Sequence, residues 1–337
     1  MAQQRRIALF VPLIPFLCML AASCARGAAP RQPWSGVKIA ETDEIKVGAA
    51  TIEVDFAEGP LDLPKSAFLA HVQGAVSAVA TYYGRFPVDR ARVLVIPVAG
   101  REGMMQGTTW GDMRGVPGFT RIRIGEHTTQ ADLIEDWMTT HELVHIAFPS
   151  MPDDQHWIEE GLATYVESVA RGMTGELSAQ KIWGDMVRDM HQGEPGQGDE
   201  GLDRTHTWGR TYWGGALFCL VADVQIRRET NNRKGLQDAL RAIVAQGGTI
   251  DHDWDLPKAL AIGDQATGTQ VLTRMYGEWK DKPVTVDLPA LWKELGIQST
   301  PQGIEFIGNA PAAKIREAIT IARSEPVSAN VVPRQSN

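Results

Sequence analysis

The chain has 337 residues, of which 43% are apolar and 22% charged, and its formal net charge at pH 7 is -8. This composition is typical of a folded soluble protein with a sizeable core, in one large domain or two lobes. The negative charge argues against a nucleic-acid partner, because phosphate binding needs a basic face.

A secretory signal peptide is predicted at residues 1–25. Two arginines precede an apolar stretch that ends near Ala22, and small residues follow it. The stretch is short for a membrane span of roughly 20 residues, although a retained anchor is the alternative. The residues around Cys24 also resemble a bacterial lipobox, so lipidation of Cys24 and simple cleavage both stay open. The pattern predicts an exported protein, which is periplasmic, anchored to a bacterial envelope membrane as a lipoprotein, or secreted.

Residues 37–148 are predicted to form a mixed α/β lobe with a small sheet. Alternating or continuous apolar patterns predict strands within 37–56, at 92–98 and at 119–124, helical spacing predicts a helix at 64–83, and a Gly-rich loop is expected at 99–118. The run at 92–98 is continuously apolar, which predicts a well-buried strand.

Residues 149–322 are predicted to form a helical lobe, which gives an α+β fold class. From residue 131 the predicted helices span 131–148, 156–172, 177–191, 209–229, 235–246, 265–280 and 288–295. An exposed loop is expected at 192–207, and a small strand at 303–307 and a helix at 312–322 close the lobe. The tail at 323–337 lacks a period and is predicted to be disordered.

The helix predicted at 131–148 contains the sequence His-Glu-Leu-Val-His at residues 141–145. Residues four apart lie one above the other on a helix, so His141 and His145 can bind one metal ion. Glu142 is rotated by about 100° from His141, which places its carboxylate beside the metal, where a base for a water molecule must be. This short motif also arises by chance, so a third ligand is needed to support it.

Two carboxylates downstream are candidates for the third ligand. Catalytic zinc takes three protein ligands and keeps one open position. A turn at 149–154 separates the first helix from a second one that begins with Glu159 and Glu160, and two helices joined in this way can pack antiparallel. Glu159 suits a solvated helix start near the positive end of the helix dipole. Glu160 lies instead on the side of Thr164.

The His-Glu-Leu-Val-His sequence, followed by Trp-Ile-Glu-Glu-Gly-Leu-Ala-Thr-Tyr at 157–165, resembles the gluzincin metallopeptidases, in particular the aminopeptidase N and glycyl aminopeptidase families. In those families the zinc glutamate directly precedes the glycine, so the resemblance implies Glu160, and not Glu159, as the ligand. Thr164 matches a hydroxyl that supports the ligands, or is a plain helix-surface threonine. The resemblance implies a thermolysin-like zincin fold, one Zn2+ ion and a peptide or protein substrate.

The segment at 211–218 is similar to the Tyr-x-x-Gly-Ala helix of those families. Its tyrosine donates a hydrogen bond to the developing oxyanion, and the resemblance gives that role to Tyr212. The alternative is an aromatic residue at the start of a core helix. His206 and Arg210, just before it, are candidates for lining the cleft.

The chain also departs from those families. The connection from His145 to Glu160 is shorter than in aminopeptidase N. The family's Gly-x-Met-Glu-Asn segment, whose glutamate binds the substrate's amino group, is matched here by residues 103–107, with Gln106 in place of the acid. A neutral amide holds an ammonium group less tightly than a carboxylate does, so aminopeptidase and endopeptidase activity both stay open. The strand containing Phe119 and Arg121 is predicted to be the edge that pairs with an extended substrate.

These features predict metal-assisted hydrolysis of a peptide bond, with Glu142 as the base. One alternative is a non-catalytic envelope binding protein that keeps the zinc. The presence of Glu142 argues against it, because a binding scaffold has no use for the base. The other alternative is a zinc hydrolase acting on a non-peptide bond, which the sequence leaves open.

Overall fold

The computed structural model describes residues 36–113 and 115–332. Its strands are β1 (Ile39–Val47), β2 (Ala50–Ala57), β3 (Arg90–Val98), β4 (Met104–Met113), β5 (Val116–Gly125), β6 (Ile297–Thr300), β7 (Gly303–Phe306) and β8 (Ala329–Val332). Six of them form one sheet in the order β4-β5-β3-β2-β1-β8, and β6 and β7 form a separate hairpin. The predicted leader at 1–25, with Cys24, lies outside the described residues.

The sheet is mixed, and its parallel centre explains the most apolar strand. β3 lies between β2 and β5 and is parallel to both, whereas β1 pairs antiparallel with β2, and β4 antiparallel with β5. The interior of β3 is buried, as its continuous apolar run predicts. β4 lies inside the segment 99–118 that the sequence analysis predicted as a loop. Its glycines interrupt the alternation of apolar and polar residues by which a strand is predicted. β4 and β8 are the two edge strands of the sheet, and β5 is an internal strand.

The described residues contain eleven α-helices. These are α1 (Lys65–Tyr83), α2 (Gln130–Glu135), α3 (Met138–His145), α4 (His156–Met173), α5 (Ala179–Asp189), α6 (Gly215–Glu229), α7 (Leu236–Ala245), α8 (Leu256–Thr267), α9 (Val271–Trp279), α10 (Leu288–Leu295) and α11 (Ala313–Ile319). A π-helical turn, Gly209–Gly214, leads directly into α6. The sequence prediction missed α8. Within the described ranges, every helix is too short or too polar to cross a membrane.

The helix predicted at 131–148 is interrupted at Asp136, so that α2 ends before this residue and α3 begins after it. The two carboxylate oxygens of Asp136 accept hydrogen bonds from the backbone nitrogens of Met138 (3.0 Å) and Thr139 (3.1 Å). The Thr139 hydroxyl and the His71 ring lie at 2.6 and 2.8 Å from the same carboxylate. A carboxylate that binds the free N–H groups at a helix start stabilises that start. Asp136 therefore fixes where the histidine-bearing helix begins.

The prediction of a disordered tail is wrong for its described end. Ala329–Val332 form β8, which pairs antiparallel with β1. The backbone nitrogen of Ala329 donates to the Ser77 hydroxyl at 3.0 Å, and its carbonyl accepts from the Gln73 amide at 2.7 Å. Four residues are too few to show a period in sequence, and this strand forms because α1 and β1 supply its partners.

The described residues from Val37 onward form one compact unit, so the predicted α/β and helical lobes are parts of one body. A buried carboxylate links three helices of its core. Asp223 on α6 accepts hydrogen bonds from the Tyr165 hydroxyl on α4 (2.9 Å), the Arg227 guanidinium (2.8 Å) and the backbone nitrogen of Leu236 on α7 (2.9 Å). A buried charge that is paired and fully hydrogen-bonded avoids the cost of an isolated one. The network fixes α4, the helix that carries Glu160, relative to α6.

Candidate metal centre

Three side chains from α3 and α4 converge on one point. The Nε2 atom of His141 lies 3.0 Å from Oε2 of Glu160 and 3.2 Å from Nε2 of His145. The Nε2 atom of His145 lies 3.6 Å from the same carboxylate oxygen. His141 and Glu160 are buried, and His145 is partly buried. The structure therefore brings together the three residues that the sequence predicts as metal ligands.

The spacing of these atoms fits a tetrahedral metal ion. Ligand atoms at about 2.0–2.1 Å from zinc in a tetrahedral site lie roughly 3.3 Å apart. The three observed separations, 3.0, 3.2 and 3.6 Å, bracket that value. Two imidazole nitrogens and a carboxylate oxygen also match the donor types that zinc prefers. The donor set fits one zinc ion with a fourth position open.

Electrostatics favour an anionic carboxylate at this point. Burial opposes the ionisation of Glu160, but hydrogen bonds with His141, His145 and His156 lower its pKa far below its usual range. Burial lowers the pKa of His141, whereas at His145 the effect of burial is outweighed by Glu160, which raises the pKa. The site therefore offers a metal a charged oxygen together with a neutral imidazole from His141.

His156, in the first turn of α4, holds the second oxygen of Glu160. Its Nε2 atom lies 3.1 Å from Oε1 of Glu160, and its Nδ1 atom lies 3.0 Å from Oε2 of Glu159. Hydrogen bonds with Glu159 and Glu160 raise the pKa of His156 to about 10. The sequence analysis did not select His156. The His-x-x-x-Glu spacing, which places both residues on one helix face, is the signal that could have found it.

The crossing of α4 and α6 depends on two glycines. A Cβ atom on Gly161 would lie 2.3 Å from the Cα and carbonyl carbon of Gly215, and one on Gly215 would lie 2.2 Å from the carbonyl oxygen of Trp157. Backbone atoms cannot move aside as a flexible side chain can, so only glycine allows this approach. The close crossing places Glu160 next to the helical turn that carries Tyr212.

We expect Gly161→Ala to lower the free energy of unfolding by about 3 kcal/mol, because its methyl group would overlap the backbone of α6. The matched control is Gly74→Ala in α1, where a Cβ would meet nothing within 4 Å. That change should raise stability by about 0.5–1 kcal/mol through helix propensity. Urea unfolding followed by circular dichroism measures both. Equal effects of the two substitutions would contradict the described crossing.

Glu142 lies beside the three ligands and is held by β4. The Thr109 hydroxyl lies 2.7 Å from Oε2 of Glu142 and 2.9 Å from its backbone carbonyl, and it is also 3.0 Å from the Thr120 hydroxyl. A Cβ on Gly107 would lie 2.4–2.7 Å from the Glu142 side chain, so a larger residue there would displace that carboxylate. Both β4 residues lie in the segment predicted as a loop, and no sequence signal selected them.

Tyr212 lies next to His141. Its ring stacks with the His141 ring at 6.0 Å between centroids, with 15° between planes, and with the Trp208 ring at 5.8 Å. Burial, together with the nearby Glu160, raises the pKa of Tyr212. The hydroxyl therefore stays protonated at neutral pH and can donate a hydrogen bond. Tyr212 belongs to the π-helical turn, a rare conformation that recurs at functional sites.

The three remaining residues that were predicted to line the cleft, Thr164, His206 and Arg210, differ in how deeply they are buried. Thr164 lies one turn after Glu160, and its buried hydroxyl has no partner among the described residues. His206 is exposed. The prediction that Arg210 lines the cleft is wrong, because its side chain is buried and donates to the carbonyl of Gly193. Arg210 thus fixes the end of the segment after α5.

The predicted substrate edge is corrected by the strand order. Gln106 lies exposed on β4, the actual edge. Phe119 and Arg121 lie on β5, whose hydrogen-bonding sides are both occupied, by β3 and by β4. Phe119 is buried, and the Arg121 guanidinium lies over the Trp110 ring at 5.1 Å. An extended peptide can therefore pair with β4 and not with β5.

The sequence matches no protein-family model and no curated protein. Among solved structures, an aminopeptidase N family protein from Idiomarina loihiensis superposes with a TM-score of 0.56 at 12% identity, over 77% of this chain and 49% of that one. An M1 zinc metallopeptidase from Deinococcus radiodurans gives a TM-score of 0.47 at 16% identity, over 74% of this chain and 53% of that one. The chain spans about half the length of the structures it matches. At this identity the likeness shows the fold alone, and the chain has a fold like that of an aminopeptidase N family protein.

Proposed function

We propose that this protein is a zinc-dependent metallopeptidase that hydrolyses peptide bonds. The observation that carries the proposal is the convergence of His141, His145 and Glu160 within 3.0–3.6 Å, with Glu142 and Tyr212 nearby. A structural zinc site is closed by four protein ligands, whereas a catalytic one has three and an open position. The described residues supply three.

His141, His145 and Glu160 would hold the zinc, and Glu142 is the proposed general base. When bound, zinc supplies Lewis acidity that polarises a substrate carbonyl and makes water acidic enough to lose a proton near neutral pH. Glu142 accepts the proton of the attacking water and returns it to the nitrogen of the leaving amine. Thr109 orients the carboxylate for this transfer through the 2.7 Å contact with Oε2.

Tyr212 is the proposed donor to the oxyanion. Its raised pKa keeps the proton on the hydroxyl, so the group can donate where negative charge develops on the former carbonyl oxygen. Stacking with both Trp208 and His141 restricts the motion of its ring. A preorganised donor of this kind stabilises the transition state without reorganising during the reaction.

The substrate backbone is proposed to pair with β4. This strand lies at one edge of the sheet. Its Thr109 hydroxyl contacts the Glu142 carboxylate, and its Gly107 lies so close to the Glu142 side chain that an added Cβ would overlap it. A peptide added to this edge would place its carbonyl groups next to the base. We further propose, from the sequence pattern at residues 1–25, that the protein is exported and either cleaved or lipidated at Cys24.

Removal and return of zinc tests the proposal directly. We expect a chelator to abolish cleavage of a peptide library, and one molar equivalent of zinc to restore it. Binding to the native state alone also raises stability, so the melting temperature should rise with zinc concentration. Mass spectrometry of the library measures cleavage and reports which end of the substrate is attacked. Zinc binding without cleavage of any peptide would instead support a binding protein or a hydrolase of another bond.

A further inference from the structure

A cavity of about 480 Å³ opens beside the metal centre and has no role in the proposed mechanism. It is lined by α4 and α5 and by the segment around Tyr212. Its lining includes Thr164, one turn after Glu160, and Trp137 and Tyr212, whose rings lie 5.2 and 6.0 Å from the His141 ring. A substrate held at the metal centre would therefore have a side chain next to this opening.

One wall of the cavity presents oxygen acceptors. Thr164, Glu167, Ser168 and Arg171 line it from a single face of α4, since they recur at helical spacing. The Thr164 hydroxyl and Oε2 of Glu167 are buried and have no hydrogen-bond partner in the described part of the chain. Unpaired buried acceptors are costly, and a donor that enters the cavity would satisfy them.

The charge of Glu167 is only partly compensated by its neighbour Arg171. The nearest guanidinium nitrogen lies 3.6 Å from Oε2 of Glu167, whereas the same guanidinium donates to Glu176 at 2.8 Å and to the carbonyl of Ile134 at 3.0 Å. Burial raises the pKa of Glu167 to about 8, against the opposing effect of Arg171. A second cation in the cavity would stabilise the ionised carboxylate.

Apolar side chains line part of the other walls and the mouth of the cavity, beside the charged residues of α5. Ile182 and Met186 of α5 are buried and line it. Its mouth carries three large apolar side chains that are unusually exposed, Ile134 (60%), Trp137 (48%) and Trp208 (61%). Indole faces attract both alkyl chains and cations. The mouth therefore suits a long apolar stem, and the acceptor wall suits a positively charged end.

When Glu167 is ionised, the carboxylates that line the cavity outnumber the cations. Its lining holds four carboxylates and three cations. Lys181 and Arg188 each lie 2.7 Å from a carboxylate oxygen of Asp185, so their charges are already paired. A negatively charged substrate group would meet Glu167 without a free cation to balance it. The charge distribution favours a cationic occupant.

We propose that this cavity binds the substrate side chain next to the cleaved bond and that Glu167 selects lysine or arginine there. The proposal rests on the proposed peptidase function. Lysine and arginine combine an apolar stem with a charged donor, and both parts find partners in the cavity. Apolar side chains fill the stem region only and leave the acceptors of Thr164 and Glu167 unpaired.

The test uses the zinc-loaded protein and two series of otherwise identical peptides. Each series carries lysine, norleucine or glutamate, in one series before the cleaved bond and in the other after it. In one series we expect kcat/KM for lysine to exceed that for norleucine by roughly 10-fold to 100-fold, as for a charge-assisted hydrogen bond. Glutamate should be the poorest substrate of the three.

Glu167→Gln should bring the ratio of kcat/KM for the lysine peptide to kcat/KM for the norleucine peptide close to one. The matched control is Glu135→Gln at the rim, which should leave the ratio unchanged because that carboxylate is 70% exposed and screened by water. If Glu167→Gln does not fold, Thr164→Val removes the other unpaired oxygen and should lower the ratio several-fold. A ratio near one in both series of the wild type overturns the pocket proposal and leaves the peptidase proposal standing.

Calorimetric titration with the same peptides separates the two proposals. Preferential binding of lysine peptides without any cleavage would overturn the peptidase function and support the pocket, provided that Glu167→Gln abolishes the preference. Absence of both cleavage and lysine preference would overturn both proposals.

Discussion

Replacing Glu142 with glutamine is expected to lower kcat/KM for peptide cleavage by about 100-fold to 10,000-fold, the range of a positioned general base. Glutamine keeps the size of the side chain and can still accept the hydrogen bond from Thr109. It cannot take a proton from water at neutral pH. Because Glu142 is not one of the three converging ligands, the variant should bind zinc as the wild type does.

Two measurements are needed on the same Glu142→Gln sample. Metal analysis should give one zinc per chain, and the melting temperature should stay close to that of the wild type. Cleavage is then followed on the best peptide from the library. Full activity in a zinc-loaded Glu142→Gln protein would remove Glu142 from the mechanism. Loss of zinc in this variant would mean that Glu142 is itself a ligand.

Glu160→Gln is expected to weaken zinc binding by at least about 100-fold and to abolish cleavage at low zinc concentration. Substitution of a residue that only supports a metal ligand lowers the affinity for the metal 10-fold to 100-fold. Loss of the charge of a ligand itself should lower it by at least as much. The carboxylate lies 3.0 Å from His141 and 3.6 Å from His145, and a neutral amide there offers a much poorer donor to zinc.

The neighbouring Glu159→Gln is the matched control for this substitution. Its carboxylate contacts His156 and is not one of the three converging ligands. We expect zinc affinity and cleavage in Glu159→Gln to stay within a factor of a few of the wild type. Titration of the metal-free proteins with zinc measures both affinities. Equal losses in the two variants would contradict the assignment of Glu160 as the ligand.

The sequence alone predicts the two histidine ligands, because their geometry is local. Residues at i and i+4 of a helix share a face whatever the rest of the fold does, so His141 and His145 can be paired without a structure. The resemblance of residues 157–165 then distinguishes Glu160 from Glu159. Secondary structure was predicted well where patterns are long, as at α1 and β3, and poorly where they are short, as at β8.

Only the tertiary structure decides what surrounds those ligands. The strand that borders Glu142 is β4, and not β5, because pairing partners along a sheet are set by long-range packing that no local pattern encodes. The same holds for the contact of Gly161 with Gly215, for the burial of Arg210 against Gly193, and for the cavity lined by Glu167. Each of these joins segments far apart in the chain, and its energy depends on distances that exist only once the chain has folded.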